Sequence, residues 1–306
     1  MTSADESGIG AAVDALRIGR VVAIPTETVY GLAADAANAD AVANIYRTKG
    51  RPDFNPLIVH VPDHAAAERL ANFDNRATAL AARFWPGPLT LVLPLVPGAP
   101  VAKAVTAGLP TIALRCPAHP VMQAVLKRSG LCLAAPSANR SGGISPTRAE
   151  HVIRSLGADT PLVLDAGPCS AGLESTIVAV RDNGWQLLRP GPVTAGDIET
   201  LLSEPPLPVT EARIEAPGQL ASHYAPSKPV RLNATTAKPD EWHIGFGVIT
   251  GDANLSVESD LADAAARLFD ELHRADASDR GSIAIAPIPD EGIGAAINDR
   301  LRRAAA

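Results

Sequence analysis

The chain has 306 residues, 46% of them hydrophobic and 20% charged, with a net charge of −6 and a mean hydropathy of +0.09. That length and balance describe a globular protein with one large domain and a small one, or two domains. The acidic excess argues against a broad basic coat for nucleic acid but allows a local basic groove, and no apolar run is long enough to cross a bilayer. Arginine supplies most of the positive charge, a residue suited to bidentate recognition of carboxylate and phosphate. Cys116, Cys132 and Cys169 form no CxxC pair, and with no signal peptide they are expected to be buried, reduced thiols in a cytoplasmic protein.

Ile9, Val13 and Leu16 share one helical face, and Gly19 ends that helix before a strand at Val21–Ile24. The strand runs into Pro25-Thr26-Glu27-Thr28-Val29-Tyr30-Gly31-Leu32, which places hydroxyl and carboxylate groups off the end of a sheet, where open α/β folds hold ligands. For Glu27, a structural hydrogen-bonding role and a catalytic one both stand. A helix from Ala39 to Thr48 ends in Lys49-Gly50-Arg51-Pro52. Two readings of that corner stand side by side: a glycine cap with basic residues against the helix dipole, or a cationic pair aimed at phosphate.

Further strands are expected at Leu57–Val61, Leu89–Leu95, Thr111–Arg115 and Leu131–Ala134, with helices at Ala65–Ala71, Arg76–Phe84 and Pro120–Arg128. His60 ends one of these apolar runs, as a core histidine or a functional one, and Arg115 ends another, as a surface ion pair or a carboxylate clamp. The loop from Ala135 to Thr147 is rich in small polar residues and precedes a helix, the layout of an anion cradle. Ser145-Pro146 offers that helix an N-cap with proline at its first position, and Thr147 with Glu150 an alternative capping box. No Walker lysine follows its glycines, so it is not a P-loop.

Strands at Leu162–Ala166, Glu174–Val178 and Trp185–Arg189 and a helix at Thr194–Leu202 complete a first domain over 1–202. Residues 203–229 are proline-rich and read as a linker, with His223-Tyr224 set between prolines in a way that looks placed. Over 230–306, strands at Pro229–Leu232, Ile244–Thr250 and Ser282–Pro287 alternate with helices at Val257–Arg274 and Ile293–Leu301. This is a small α/β domain with a parallel sheet and no evident chemistry.

The motifs at 25–32 and 49–52, Asn55-Pro56-Leu57-Ile58-Val59-His60, Trp85-Pro86-Gly87-Pro88-Leu89-Thr90, Ser137-Ala138-Asn139 with Ser145-Pro146-Thr147, Glu174-Ser175-Thr176-Ile177 and Leu188-Arg189-Pro190-Gly191-Pro192 occur in one order. In that order they resemble the YrdC-type domain. The linker and second domain are similar to the longer, two-domain branch, the threonylcarbamoyl-AMP synthases. The resemblance implies a twisted mixed-sheet YrdC-type domain with helices, followed by a small Rossmann-like α/β domain. It also implies condensation of L-threonine, bicarbonate and ATP to threonylcarbamoyl-AMP and pyrophosphate, with Mg2+ accompanying the ATP. A downstream complex would then transfer the group to tRNAs reading ANN codons.

Carried over by motif, Thr28, His60, Arg115, Ser175 and the Ala135 backbone are expected to hold threonine. Lys49, Arg51, Asn55, Thr111, Ser137, Asn139, Ser145 and Arg189 are expected to hold ATP, with Lys49 and Arg51 on the phosphates. Tyr224 or His223 would cover the nucleotide as the linker folds over the cleft. No protein metal ligands are expected. The basic residues usual in this linker are replaced by Gln219, Leu220, Ala221 and Ser222. The competing reading is a non-catalytic RNA-binding module of the same fold, which the net charge disfavours.

Overall fold

Six of the helices among the described residues begin at Asp5, Asn38, Asp63, Asp74, Thr194 and Asp260, whose short polar side chains take up free backbone N–H groups, and strands follow the buried apolar runs. The computed structural model describes residues 1–208, 215–218 and 223–306; Gln219 to Ser222 therefore lie outside the described residues. In chain order the first unit contains β1 (Thr2–Ser3), α1 (Glu6–Arg17), β2 (Val22–Ile24), β3 (Gly31–Asp35), α2 (Ala39–Lys49), β4 (Ile58–His60), α3 (His64–Glu68), α4 (Asn75–Phe84) and β5 (Leu89–Pro94). It continues with β6 (Thr111–Arg115), α5 (Pro120–Ser129), β7 (Leu133–Ala134), α6 (Ala149–Leu156), β8 (Leu162–Asp165), β9 (Thr176–Arg181), β10 (Gly184–Arg189) and α7 (Ala195–Leu202). The second unit holds β11 (Val230–Arg231), β12 (Glu241–Gly245), β13 (Ala253–Asn254), α8 (Leu261–Asp276), β14 (Ser282–Ile285) and α9 (Gly294–Ala304).

The first sheet has ten strands in the order β1-β8-β2-β3-β7-β4-β6-β5-β9-β10. It is mixed: β4 and β6 run parallel, whereas β3 runs antiparallel to β2 and to β7. The second sheet, β11-β14-β12-β13, is parallel throughout. These are the mixed sheet and the small parallel domain expected from the sequence. The main core lies against the first sheet and includes Tyr30, Leu32, Val59, Leu91, Leu114, Val178 and Trp185.

Three departures from the expected elements matter for the site. Gly31-Leu32-Ala33-Ala34-Asp35 is a strand, although glycine and alanine have weak strand preference; pairing with β2 on one side and β7 on the other forms it. The polar motif is therefore a turn between two paired strands rather than a frayed sheet end. The helix after the small-residue loop starts only at Ala149, and its cap residue Arg148 makes no side-chain cap bond. Ser145 and Thr147 do not cap it, because the Ser145 hydroxyl goes to Glu174 and Thr147 contacts His151 Nδ1. The strand expected at 244–250 lies instead at β12, since Gly247 adopts a left-handed φ of 57° and turns the chain.

The two units share a core. Val29, Ile144 and Leu173 of the first pack with Tyr224 and with Leu268, Phe269, Leu272 and Ile297 of the second. Gly172, at φ 66°, brings the chain so close to α8 that an added Cβ would lie 2.3 Å from the Ala266 carbonyl oxygen.

Candidate active site

At the β2–β3 turn, Thr26 organises the backbone. Its hydroxyl donates to the Val29 carbonyl (2.6 Å), accepts from the N–H groups of Thr28 and Val29 (3.2 Å each), and lies 2.8 Å from the Thr28 hydroxyl. This closed loop of bonds fixes Thr28, which is fully buried. Arg115, at the end of β6, reaches across the sheet. Its Nη1 donates to Thr28 Oγ1 (2.8 Å), its Nε to the Gly87 carbonyl (3.2 Å), and its Nη2 lies 2.7 Å from Glu27 Oε1. Burial opposes ionisation of Glu27, but the Arg115 charge and hydrogen bonds outweigh it and hold the carboxyl below its ordinary range. Glu27 is thus the buried counter-ion of Arg115.

Each terminal nitrogen of Arg115 keeps a further N–H that these contacts do not use, enough to meet a small carboxylate. Beside it in the parallel register of β4 and β6 is His60, paired with Arg115. Burial, with Arg115 adding to it, pushes the His60 pKa down to about 3, so the imidazole is neutral. Ser175 completes this end, its hydroxyl 2.7 Å from that of Thr90.

The other end is cationic without carboxylate partners. Gly50 does cap α2, at φ 61° and with its N–H on the Arg47 and Tyr46 carbonyls, and Arg51 is then delivered to the cavity wall. The cap reading is realised, and of the cationic pair Arg51 lines the cavity while Lys49 does not. Arg51 donates to the carbonyls of Asn55 (3.2 Å) and Pro56 (2.9 Å), and burial pushes its pKa down to about 10. Arg189, at the end of β10, donates to the Ser175 carbonyl and hydroxyl, and burial lowers its pKa too. Lys49 Nζ is buried under the small-residue loop, donating to the carbonyls of Ser137 and Asn139 at 2.6 Å each; burial first, then Arg51, pulls its pKa well below the ordinary lysine value. Among the described residues no carboxylate pairs with Arg51, Arg189 or Lys49.

Thr28, Arg51, His60, Arg115, Ala135, Ser137, Ser175, Arg189 and Tyr224 all line one cavity. Lys49, Asn55, Thr111, Asn139 and Ser145 do not, and each has a visible occupation or place. Lys49 ties down the loop. Asn139 bridges the Arg140 and Gly143 carbonyls within that loop, and Ser145 bonds Glu174. Asn55 accepts from Arg51 and Tyr46 through its carbonyl. Thr111 pairs with Pro94 at the start of β6, four residues from Arg115.

The lining also contains His223, the alternative cover residue, and polar or linker residues outside the candidate set, among them Thr26, Glu174, Pro217 and Gly218. Glu174 stands inside the Glu174-Ser175-Thr176-Ile177 motif, but the resemblance gives it no role there. Burial works against the Glu174 charge, but Arg300 and Arg189 prevail and keep its pKa below normal. Its partner Arg300, on α9, carries no sequence signal beyond a place in a basic helix.

Pro217, Gly218, His223 and Tyr224 close the cavity from the linker side. Gly218 has φ 84°, and an added Cβ there would lie 2.6 Å from the Tyr224 hydroxyl. Tyr224 itself holds φ 63° while fully buried, a backbone state that costs a bulky residue of order 1–3 kcal/mol and persists only under strong packing. The enclosed volume is about 40 Å3, against roughly 300 Å3 or more for ordinary small-molecule sites. Among the described residues no group of three or more His, Cys, Asp or Glu could hold a metal ion. No helix among them is long and apolar enough to cross a membrane.

The two ends define a bipartite polar cleft, one part suited to a small carboxylate and the other to an anion. Residues 14–191 match the family described as telomere recombination, and residues 193–306 match the threonylcarbamoyl-AMP synthase C-terminal domain. A Bacillus subtilis protein named threonylcarbamoyl-AMP synthase is 40% identical over 99% of this chain and 94% of its own length. A Pyrococcus abyssi protein of the same name is 36% identical over 98% and 94%. The crystal structure of P. abyssi Sua5 complexed with L-threonine superposes with a TM-score of 0.89 at 34% identity, covering 98% of this chain and 95% of that one. The chain belongs to the threonylcarbamoyl-AMP synthase family.

Proposed function

We propose that this chain condenses L-threonine, bicarbonate and ATP to threonylcarbamoyl-AMP, with release of pyrophosphate. The observation that carries the reading is the unequal pairing of charge along one cavity. Arg115 is neutralised by Glu27 beside the Thr28 hydroxyl, whereas Arg51 and Arg189 line the same space with no carboxylate paired to them among the described residues, Glu174 in that wall being held by Arg300. A solved relative complexed with L-threonine matches over nearly the whole chain, which supports Thr28, His60, Arg115, Ser175 and the Ala135 backbone as the amino-acid end. Arg51, Arg189 and Ser137 then form the ATP end, with Lys49, Asn139 and Ser145 shaping its loop and Tyr224 and His223 covering it.

The chemistry asked of the protein is positioning and charge neutralisation. The threonine amine takes up bicarbonate carbon as a carbamate with loss of water. A carbamate oxygen then attacks the α-phosphorus, and the bond to the β-phosphate oxygen breaks to release pyrophosphate. Arg51 and Arg189 offset charge on the phosphates, while neutral His60 is available as a hydrogen-bonding group rather than a repelling cation. Magnesium would arrive on the ATP phosphates, where that ion is commonly held by substrate oxygens and water; Glu174, the carboxylate in the wall, is already engaged by Arg300 and Ser145. A free volume of about 40 Å3 is too small for ATP, so Pro217, Gly218, His223 and Tyr224 would move aside to admit it and return to exclude water.

The product would feed a threonylcarbamoyl-transfer step on tRNA. The test is pyrophosphate release from Mg-ATP by the pure chain: it is expected only when L-threonine and bicarbonate are both present. Release that ignores either co-substrate, or none with all three, would overturn the assignment. Tight, salt-sensitive tRNA binding without adenylate formation would favour the RNA-binding module instead.

A further inference from the structure

The second unit does more than follow the first. Arg300 of α9 is completely buried although it carries a guanidinium. Its Nε donates to Glu174 Oε2 (2.9 Å), its Nη1 to the Pro190 carbonyl (2.8 Å) and to Asp299 Oδ2 (2.9 Å), and its guanidinium carbon lies 5.3 Å from the centre of the Tyr224 ring. The second Glu174 oxygen accepts from the Ser145 hydroxyl. From α8, His273 Nε2 donates to the Ser145 carbonyl (3.2 Å), and Phe269 packs 5.7 Å from Tyr224, centre to centre. The backbone N–H of His223 bonds the Arg303 carbonyl. Glu174, Ser145, His223 and Tyr224 thus each touch the second unit.

We propose that Arg300 is a positioning residue for the anion end of the cavity: it holds and neutralises Glu174, and through Glu174 and the Tyr224 ring it sets the loop at Ser145 and the cover at 223–224. A buried ion pair adds little net stability over an apolar pair of the same shape, so what this pair supplies is geometry and charge balance. Glu174 faces the cavity; left without Arg300 it would set a negative charge against phosphates. Docking of α9 therefore completes the anion end, whereas the bonds of Arg300 go to Glu174, Asp299 and Pro190 and not to Arg115, Thr28 or Glu27. The inference rests on the assignment of that end to ATP.

The test compares the full-length protein with Arg300→Met, Arg300→Lys and the charge-balanced pair Arg300→Met with Glu174→Gln. Arg300→Met removes one partner of a buried pair and endangers folding, whereas the pair of changes leaves no lone charge. Folding is checked by thermal unfolding. For the double variant the expected result is at least a tenfold rise in KM for ATP, with L-threonine binding measured by calorimetry without ATP changed less than twofold. Arg300→Lys should recover part of the loss. Equal weakening of both ligands, or a wild-type KM for ATP in the folded double variant, would overturn the proposal. Hydrogen exchange supplies a readout independent of turnover: the double variant is expected to exchange faster at 142–146 and 223–226, and unchanged rates there would also overturn it. A wild-type protein that releases no pyrophosphate would sink the ATP assignment alone, and the exchange result would still decide the role of Arg300.

Discussion

The Arg115 end and the Arg51–Arg189 end of the cavity use the same side chain for opposite purposes. Arg115 is held in a buried ion pair with Glu27 and by Thr28 and Gly87, so its charge is balanced before any ligand arrives and its remaining N–H groups act by geometry. Arg51 and Arg189 are held only by carbonyl and hydroxyl oxygens. Their charge is met by dipoles rather than by a directly paired carboxylate, with Glu174 nearby already bound to Arg300. The contrast teaches that counting arginines does not locate an anion site; what each arginine is already paired with does.

The contrast can be broken most severely at Arg115. Arg115→Ala should cost about 3–5 kcal/mol of stability, because it leaves Glu27 buried and unpaired. Combining it with Glu27→Gln should restore most of that stability in urea unfolding while threonine binding stays lost. A single variant as stable as the parent would mean that the pair carries no such charge balance. At the other end, Arg51→Ala loses bonds to the Asn55 and Pro56 carbonyls and should cost about 1.5–3 kcal/mol of stability, while lowering pyrophosphate release by about 10²–10³-fold, the scale of one lost charge-stabilising donor. Near-normal turnover would return Arg51 to the role of a basic residue at a helix end.

Acid should affect both ends. His60 at one end and His223 at the other are pushed down to about 3 by burial. Their folded pKa values lie below the unfolded value near 6.5, so the unfolded chain binds more protons between those limits, and stability falls as pH drops through that window by at most about 1.4 kcal/mol per pH unit for each group. Glu27 and Glu174 are shifted down as well; their stabilisation is present above the unfolded carboxylate value and is lost as pH falls through the folded one, steepening the decline below about pH 4.3. Unfolding measured from pH 7 to 5 should flatten in either His60→Asn or His223→Asn, and an unchanged slope in both would count against buried neutral imidazoles. The smallest effect is expected at Thr28. Thr28→Val deletes the acceptor for Arg115 Nη1, and loss of such a bond to a charged group, about 1.5–3 kcal/mol, should raise KM for L-threonine roughly tenfold or more with KM for ATP unchanged.

Much of this was legible in the chain. The strand-end positions of Arg115 and Arg189 and the capped corner before Arg51 follow from local pattern, and all three reach the cavity. Lys49 is different: its place in a basic corner suggested phosphate contact, but its ammonium lies beneath the 137–139 loop and organises it. Ser145 shows the same limit, because its apparent capping sequence competes with Glu174, a partner 29 residues away. Local pattern cannot rank a local hydrogen bond against a distant charged one.

The sequence by itself determined the parallel sheet of the second unit, the neutral or cationic character of most of the wall, and the family, whose resemblance implied the mixed sheet, because periodicity, capping and ordered motifs are properties of neighbouring residues. Only the tertiary structure decided which cations are already paired, that Glu27 serves Arg115, and that Arg300, near the end of the chain, serves Glu174. Charge cancellation in a buried site depends on a few ångströms of separation between groups as distant in the chain as Glu174 and Arg300, and no spacing along the chain encodes that distance.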